Sequence, residues 1–410
     1  MSIQTILSDL DSSRETLEEL YRHFHRHPEL SLQEYKTADR IEQELRSRGI
    51  EDIQRIAKTG LVVTLRNGDG PVVAMRGDID ALPMAERSGV EYAAEGVTQV
   101  DETTGKETPV AHTCGHDMHI VCLLGATWAL HANRDAWSGT FIAVFQPGEE
   151  NAAGAKAMVT DGIVDKVPKP DVYLGQHVLG SLPGGAIGIR SGPLFSAAAS
   201  IEINLYGKGS HGSMPNLGVD PIVLGAAVVS RLQTVVSREV APRETAVITV
   251  GSFHSGTKSN IIPDSAVLHL NTRAFNRDVE KHLHEAIERI VRAECEAARS
   301  PKEPEFRYYD QYPLTSNHEA PTEQVRSAFD AYFGDDSVEM SPVPASEDFS
   351  VIPDAFGCPY TYWGLGGFKD WENAPGNHSP FFAPDIQPTL DRGVEAIVVA
   401  TSPWLIGDKQ

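Results

Sequence analysis

Four cysteines in 410 residues, at 114, 122, 295 and 358, are too few and too scattered to staple a disulfide scaffold. They read as reduced thiols, which points to a cytoplasmic setting. Basic residues are scarce: 35 Lys and Arg stand against 57 Asp and Glu, a formal net charge of −22, and nothing gathers them into a stripe. A surface that neutralises phosphates needs such a stripe, so no nucleic-acid partner is expected. An anionic membrane surface is disfavoured on the same electrostatic ground. No window approaches ~20 uninterrupted apolar residues, so no membrane-spanning helix is expected. The opening stretch MSIQTILSDLDSSRETLEEL has no basic run leading into an apolar one, so no signal peptide is expected either. Internal repeats and low-complexity segments are also missing.

What the chain does have is an apolar content of 41% with 22% charged residues, enough to build real cores. At ~100–200 residues per domain, two or three domains are expected. Apolar residues at helical spacing (Ile6, Leu10, Leu17, Leu20, Phe24) predict a helix over 3–27, stopped by Pro28. A second helix is predicted over 34–48, ending at Gly49. Strand-like runs follow at 61–66, 72–78, 141–146 and 171–178, with helices at 118–132 and 152–161, an alternation that indicates an α/β layer with a largely parallel sheet. After about 186 the order becomes strand (200–209), helix (221–239), strands (245–253, 266–275), helix (278–299) and strand (305–310), which is the split βαββαβ arrangement. From about 315 the α/β character returns, with a helix near 321–333, a strand at 360–366 and a closing helix from about 388. The expected organisation is therefore one domain in two parts, 1–186 and 315–410, with a second domain inserted at 187–314.

Ligands of open α/β sheets bind beyond the carboxyl ends of the strands. There the sequence places Asp78 and Asp80, Glu149 and Glu150, and His177, while H-T-C-G-H-D before the helix at 118 adds Cys114, His116 and Asp117. Thiol, imidazole and carboxylate together, with no Ser-His pairing nearby, argue for a metal, and nitrogen with sulfur favours zinc or a neighbour of it. Taken singly, each has a plainer reading. Cys-x-His pairs arise by chance on surfaces, Glu149-Glu150 could be a solvated loop, and His177 a hydrogen-bonded core residue. Asp78 and Asp80 could simply cap the turn before Pro83.

The order of motifs along the chain carries a resemblance. YRHFHRHPELSLQEYKTA (21–38), GDIDALP (77–83), HTCGHDMH (112–119), QPGEE (146–150), GQHV (175–178), GKGSHGSMP (207–215), SNIIPD (259–264), NTR (271–273), SEDFS (346–350) and NHSP (377–380) resemble the M20 metallopeptidase/amidohydrolase superfamily. The likeness is greatest to its amidohydrolase branch, subfamily D, which includes hippurate hydrolases, N-acyl-amino-acid aminoacylases and auxin-conjugate hydrolases. It covers essentially the whole chain. Thr113 stands where Ala is usual and Gln176 where Leu is common; neither is a ligand position.

The resemblance implies a zinc-peptidase-like α/β catalytic domain with an inserted ferredoxin-like lid and dimerisation domain, and a homodimer. It implies two divalent ions, zinc foremost with manganese, cobalt or nickel as alternatives, bridged by the Cys114 thiolate and completed by His116, Glu150, His177 and His378. Asp80 would orient a ligand, and Glu149 would be the general base that activates the metal-bound water. Other branches carry a histidine where this chain has Asp78. His211 would hydrogen-bond the oxyanion, commonly from the partner subunit, with Asn260 and Arg273 binding substrate through its carboxylate. His119 is expected behind the ligands, and Cys122, Cys295 and Cys358 as packing thiols. His23, His25 and His27 are expected as cations suiting the end of the first helix. The resemblance assigns Glu347 and Asp348 to a loop near the substrate.

The function expected is metal-dependent hydrolysis of an N-acyl-L-amino acid to a carboxylic acid and a free amino acid. The stretch RLQTVVSREVAP (231–242) is similar to that of aminoacylases of the branch, which suggests an N-acylglutamine type. A dipeptidase or carboxypeptidase of the same fold is the nearest alternative. A non-catalytic small-acid-binding protein is the alternative from another class, and it would have no use for Glu149.

Overall fold

The computed structural model describes residues 2–406; Met1 and 407–410, at the two ends of the expected catalytic segments, lie outside the described residues. The chain forms two compact units: Met1–Gly192, Ser316–Ser341 and Asp348–Gln410 make the first, Pro193–Thr315 and Pro342–Glu347 the second. The expected divisions at 186/187 and 314/315 compare with observed ones at 192/193 and 315/316.

The first unit opens with a short helical turn and then α1 (Leu10–Arg26), which buries Leu10, Leu17, Leu20, Tyr21 and Phe24 along one face and stops before Pro28. Helix α2 (Tyr35–Ser47) buries Ala38, Ile41 and Leu45. Strands β1 (Ile53–Ile56), β2 (Gly60–Asn67) and β3 (Val72–Asp78) follow, then α3 (His116–Ala132), β4 (Gly139–Gln146), β5 (Val172–Pro183) and β6 (Ile187–Ile189). Helix α3 is buried from His116 to Leu130, which is why its apolar residues show no single stripe. The second unit comprises β7 (Ala197–Tyr206), α4 (Pro221–Thr234), β8 (Ala246–His254), β9 (Ser265–Ala274), α5 (Arg277–Ala297) and β10 (Glu305–Tyr312). Back in the first unit come α6 (Glu319–Phe333), β11 (Ser337–Glu339), β12 (Tyr360–Phe368) and α7 (Ile386–Leu405).

The large sheet has the order β1-β2-β4-β3-β5-β12-β6-β11. Its centre, β4-β3-β5-β12, is parallel, and β4 is buried along its whole length, as a strand covered on both faces must be. The flanks depart from the largely parallel expectation: β1, β2 and β4 run antiparallel in turn, and so do β12 and β6, making the sheet mixed. The β1–β2 hairpin turns through Ala57 (φ 55°) and Lys58 (φ 67°), both left-handed without a glycine or asparagine. The chain leaves β3 toward β4 on one side and later reaches β5 on the other. The carboxyl ends of these three strands therefore form a switch point.

The second unit is ferredoxin-like. Its sheet order is β8-β9-β7-β10, antiparallel throughout. The alternating buried positions of β7 and β9 pack Ile201, Ile203, Leu268 and Leu270 against Leu224 and Val228 of α4 and Leu283 and Ile287 of α5. Asp220 and Asn276 cap the two helices. Among the described residues all four cysteines are free and buried, and no helix is long and apolar enough to cross a membrane.

The three histidines near the end of α1 part company. His23 is held at about 4 by its partial burial and the nearby Arg40 and His27 charges, so it is neutral at physiological pH and corrects the cation expectation. His25 is fully buried between two carboxylates, with Nδ1 2.6 Å from Asp117 and Nε2 2.9 Å from Glu86. Ionised carboxylates only accept, so both ring nitrogens donate and the ring is an imidazolium. Burial opposes that charge, but Asp117 and Glu86 outweigh it and lift His25 to about 9. A folded value above the ordinary ~6.5 means the stabilisation is complete below ~6.5 and is lost as pH rises through the folded value. The gap in melting temperature between wild type and His25→Gln is therefore expected to close as pH is raised from 7 to 10. A gap that ignores pH would contradict the charged assignment.

Candidate metal centre

Most of the candidate side chains of the first unit are delivered by element ends. Strand β3 ends on Asp78 and leads to Asp80, and β4 leads through Pro147-Gly148 to Glu149 and Glu150. The β4 turn is held from beneath: the buried Glu34 carboxylate accepts the amides of Leu32 and Gly148, both at 2.8 Å, and the Thr59 hydroxyl at 2.6 Å. Gly115 (φ 88°) sets Cys114 and His116 on either side of the start of α3. Its backbone lies so close to β5 that a Cβ there would meet Val178 at 2.3 Å. His177 comes from within β5. His378 sits in the loop before α7, its amide bonded to the Thr113 carbonyl at 2.8 Å.

These ends converge. Oxygen, nitrogen or sulfur atoms of Cys114, His116 and Glu150 lie within 4.8 Å of one another, as do those of Asp78, His116, His119 and His177. The hydrogen bonds fix which ring atoms point inward. His116 Nδ1 donates to Asp80 at 3.2 Å, leaving Nε2 to face Asp78 (3.5 Å), Glu150 (3.7 Å) and Glu149 (4.0 Å). His177 Nδ1 donates to the Val178 carbonyl at 2.8 Å, leaving Nε2 3.5 Å from the Cys114 sulfur. His378 Nε2 lies 3.3 Å from Glu150, on a side chain about half exposed. Asp80 also accepts Ser31 (2.7 Å) and the Glu150 amide (3.0 Å), so it orients His116 and the β4 turn at once.

The inventory fits a metal site. His116 Nε2 is buried with no hydrogen-bond partner among the described residues, although it is ringed by anionic oxygens. Burial and then Glu150 push the Cys114 thiol up, burial and then Asp80 raise Glu150 to about 8, and burial with His119 lowers His177. Burial would lower His116 too, but Asp78 and Cys114 raise it. A divalent ion satisfies all four groups in their deprotonated forms. Both ring nitrogens of His119 are engaged: its Nε2 accepts the Val178 amide at 2.8 Å and its Nδ1 donates to Asp78.

The remaining sequence-derived candidates lie in the second unit. His211 is exposed on a two-residue strand, Ser210–His211, paired with Ile261–Ile262. Its Nδ1 accepts the Ser213 amide at 3.2 Å, so Nε2 carries the hydrogen and can donate. Asn260 is exposed beside that ribbon, its carbonyl accepting the Gly212 amide at 2.8 Å. Arg273, half-buried on β9, donates to Asn271 (2.9 Å), Ser346 (2.6 Å) and the Pro344 carbonyl (3.3 Å). The sequence reading missed Asn377, which donates to the Cys114 and Val178 carbonyls at 3.1 and 3.0 Å, and the buried Arg76. For Arg76 a signal existed: a cation in the middle of the apolar strand VVAMRGD.

Residues 74–400 match the profile of Peptidase family M20/M25/M40. N-acetyl-L-cysteine deacetylase of Bacillus subtilis (strain 168) is 33% identical over 366 residues, which span 89% of this chain and 82% of that protein. Thermostable carboxypeptidase 2 of Saccharolobus solfataricus is 33% identical over 387 residues, 93% of this chain and 94% of that one. The crystal structure of the Bacillus subtilis YXEP protein, a dinuclear metal binding peptidase from the M20 family, is similar with a TM-score of 0.77 at 28% identity, covering 95% of this chain and 98% of that chain. With the match running from β3 into α7, the chain belongs to peptidase family M20/M25/M40, on its amidohydrolase side, and is a hydrolase of amide bonds.

Proposed function

We propose that this enzyme hydrolyses N-acyl-L-amino acids, N-acylglutamines being the nearest class, with two divalent ions, zinc foremost, as a homodimer in a cytoplasm. The observation that supports this most is the partnerless Nε2 of His116, buried amid Cys114, Glu150, Glu149 and Asp78. Cys114, His116, Glu150, His177 and His378 would hold the ions. Ions so held would supply a Lewis acid for the scissile carbonyl and an acidified water.

The rest of the chemistry belongs to the chain. Glu149 stands next to the ligand Glu150 and takes the proton from the attacking water. It then hands that proton to the amide nitrogen as the C–N bond breaks, so the products are a carboxylate and a free amino acid. Asp80 keeps His116 in the tautomer that presents Nε2. The partner subunit's His211 donates from Nε2 to the oxyanion, which gains negative charge only as the carbonyl is attacked. Arg273, with Asn260, takes the α-carboxylate of the amino acid, a group that suits a planar fork of donors.

A carboxypeptidase or dipeptidase reading has support in the likeness to thermostable carboxypeptidase 2, because a peptide C-terminus presents the same amide and carboxylate. Amino-acid release from matched N-acyl amino acids and dipeptides separates the two readings, and no turnover by metal-loaded protein would leave a small-acid binder. Glu149→Gln is expected to cut kcat by about 10²–10⁴-fold while keeping its metal, as loss of a general base does. An active variant, or one stripped of metal, would remove Glu149 from that role. His211→Ala is expected to lower kcat with little change in KM, and Arg273→Lys chiefly to raise KM. The opposite split in steady-state kinetics would exchange or cancel those roles.

A further inference from the structure

Arg76 is the largest charged side chain wholly enclosed in the protein. It sits on β3, two residues before Asp78. Its Nη1 bonds Asp78 Oδ2 at 2.6 Å and the Tyr362 hydroxyl at 3.3 Å, its Nε bonds Gln146 at 3.0 Å, and its Nη2 lies 3.3 Å from Asp348 Oδ1. Asp348 in turn accepts Gln146 at 2.6 Å and the amide of Ala155, beyond the Glu149-Glu150 turn, at 3.0 Å. All five side chains are buried. One guanidinium thus ties together β3, β4, β12 and the point at which the chain returns to the first unit, since Pro342–Glu347 belong to the second.

Stability is a weak reason for such a network. Desolvating a guanidinium and two carboxylates is costly, and apolar residues of equal volume commonly do as well or better. What the network fixes is Asp78. One of its oxygens receives Arg76 and the other His119, and the carboxylate so held lies 3.5 Å from Nε2 of His116. His119 is itself bonded to the Val178 amide, next to His177. Asp78, held by Arg76, thus faces Nε2 of His116, and through His119 it is tied to the backbone beside His177, while Asp348 in turn holds Arg76.

We infer that Arg76 and Asp348 are positioning residues of the metal centre: Asp348 aims the guanidinium, the guanidinium locks Asp78, and Asp78 with His119 sets the approach of His116 and His177 to the ions. This assigns a role to Asp348 of the SEDFS motif, and it rests on the metal centre proposed above. Neither residue touches substrate, and their loss acts on metal binding before it acts on chemistry.

The test uses full-length protein stripped of metal and titrated with zinc against a chromophoric chelator, alongside melting curves of the metal-free and loaded forms. Arg76→Lys, which keeps the charge and loses the fork, and Asp348→Asn, which keeps the shape and loses the charge, are each expected to weaken zinc binding about 10–100-fold, the usual effect of removing a partner behind a ligand. Tyr362→Phe removes one hydroxyl from Arg76 and gives a folded variant with a smaller loss in the same direction, so the reading survives if the charge variants fail to fold. Zinc affinities within threefold of wild type in the folded variants, with equal melting losses in both forms, would reduce the network to packing and overturn the inference. Wild-type protein that binds no zinc would overturn the metal centre itself, a result distinct from equal binding by wild type and variants.

Discussion

Ionisable side chains crowded out of water around the carboxyl ends of three strands are the constraint around which the first unit is arranged. Cys114, His116, Glu150 and His177 are each shifted by burial and by one another. Burial favours the uncharged forms of Cys114, Glu150 and His177, while Asp78 and Cys114 favour a charged His116. The chemistry of the set suits divalent ions, and the surrounding hydrogen bonds aim its side chains. Asp80 fixes one imidazole, the Val178 carbonyl another, and Glu34 the turn that carries Glu149 and Glu150. Behind that layer the charges balance through Arg76 on one side and the imidazolium of His25 on the other.

The two units differ in what their architectures present. The wide sheet has a switch point at its centre, and the candidate ligands gather around it, from the turns after two strands, the start of α3, the middle of β5 and the loop before α7. The antiparallel insert carries an exposed ribbon with His211 and a half-buried Arg273 held by Asn271 and Ser346. The three residues from Ser346 to Asp348 connect an arginine of each unit. Ser346 binds Arg273 and Asp348 binds Arg76.

Much of the fold was legible in the sequence for physical reasons that can be named. The parallel strands at the centre of the sheet are covered on both faces and read as unbroken apolar runs, while the insert strands face a core on one side and alternate. The β1–β2 hairpin was not legible, since Ala57 and Lys58 adopt left-handed conformations that neither residue advertises. Short strands such as β6 and β11, three residues each, carry too little pattern to be seen. For the site, the gathering of thiol, imidazole and carboxylate at strand ends suggested a metal, although each residue singly had a plainer reading, and the order of motifs supplied the full set of ligand candidates. The supporting residues were harder to see: Arg76 stood out only as a cation within an apolar strand, and the roles of His25, Glu34 and Asn377 depend on partners tens to hundreds of positions away that no local spacing encodes.

The central claim, that this buried set closes on divalent ions through the Cys114 sulfur, is tested most directly by titrating metal-free protein with cobalt and following its near-ultraviolet absorption. The account predicts uptake of about two ions per chain, with a thiolate-to-cobalt charge-transfer band that Cys114→Ser abolishes. Uptake without that band, or no uptake at all, would contradict it.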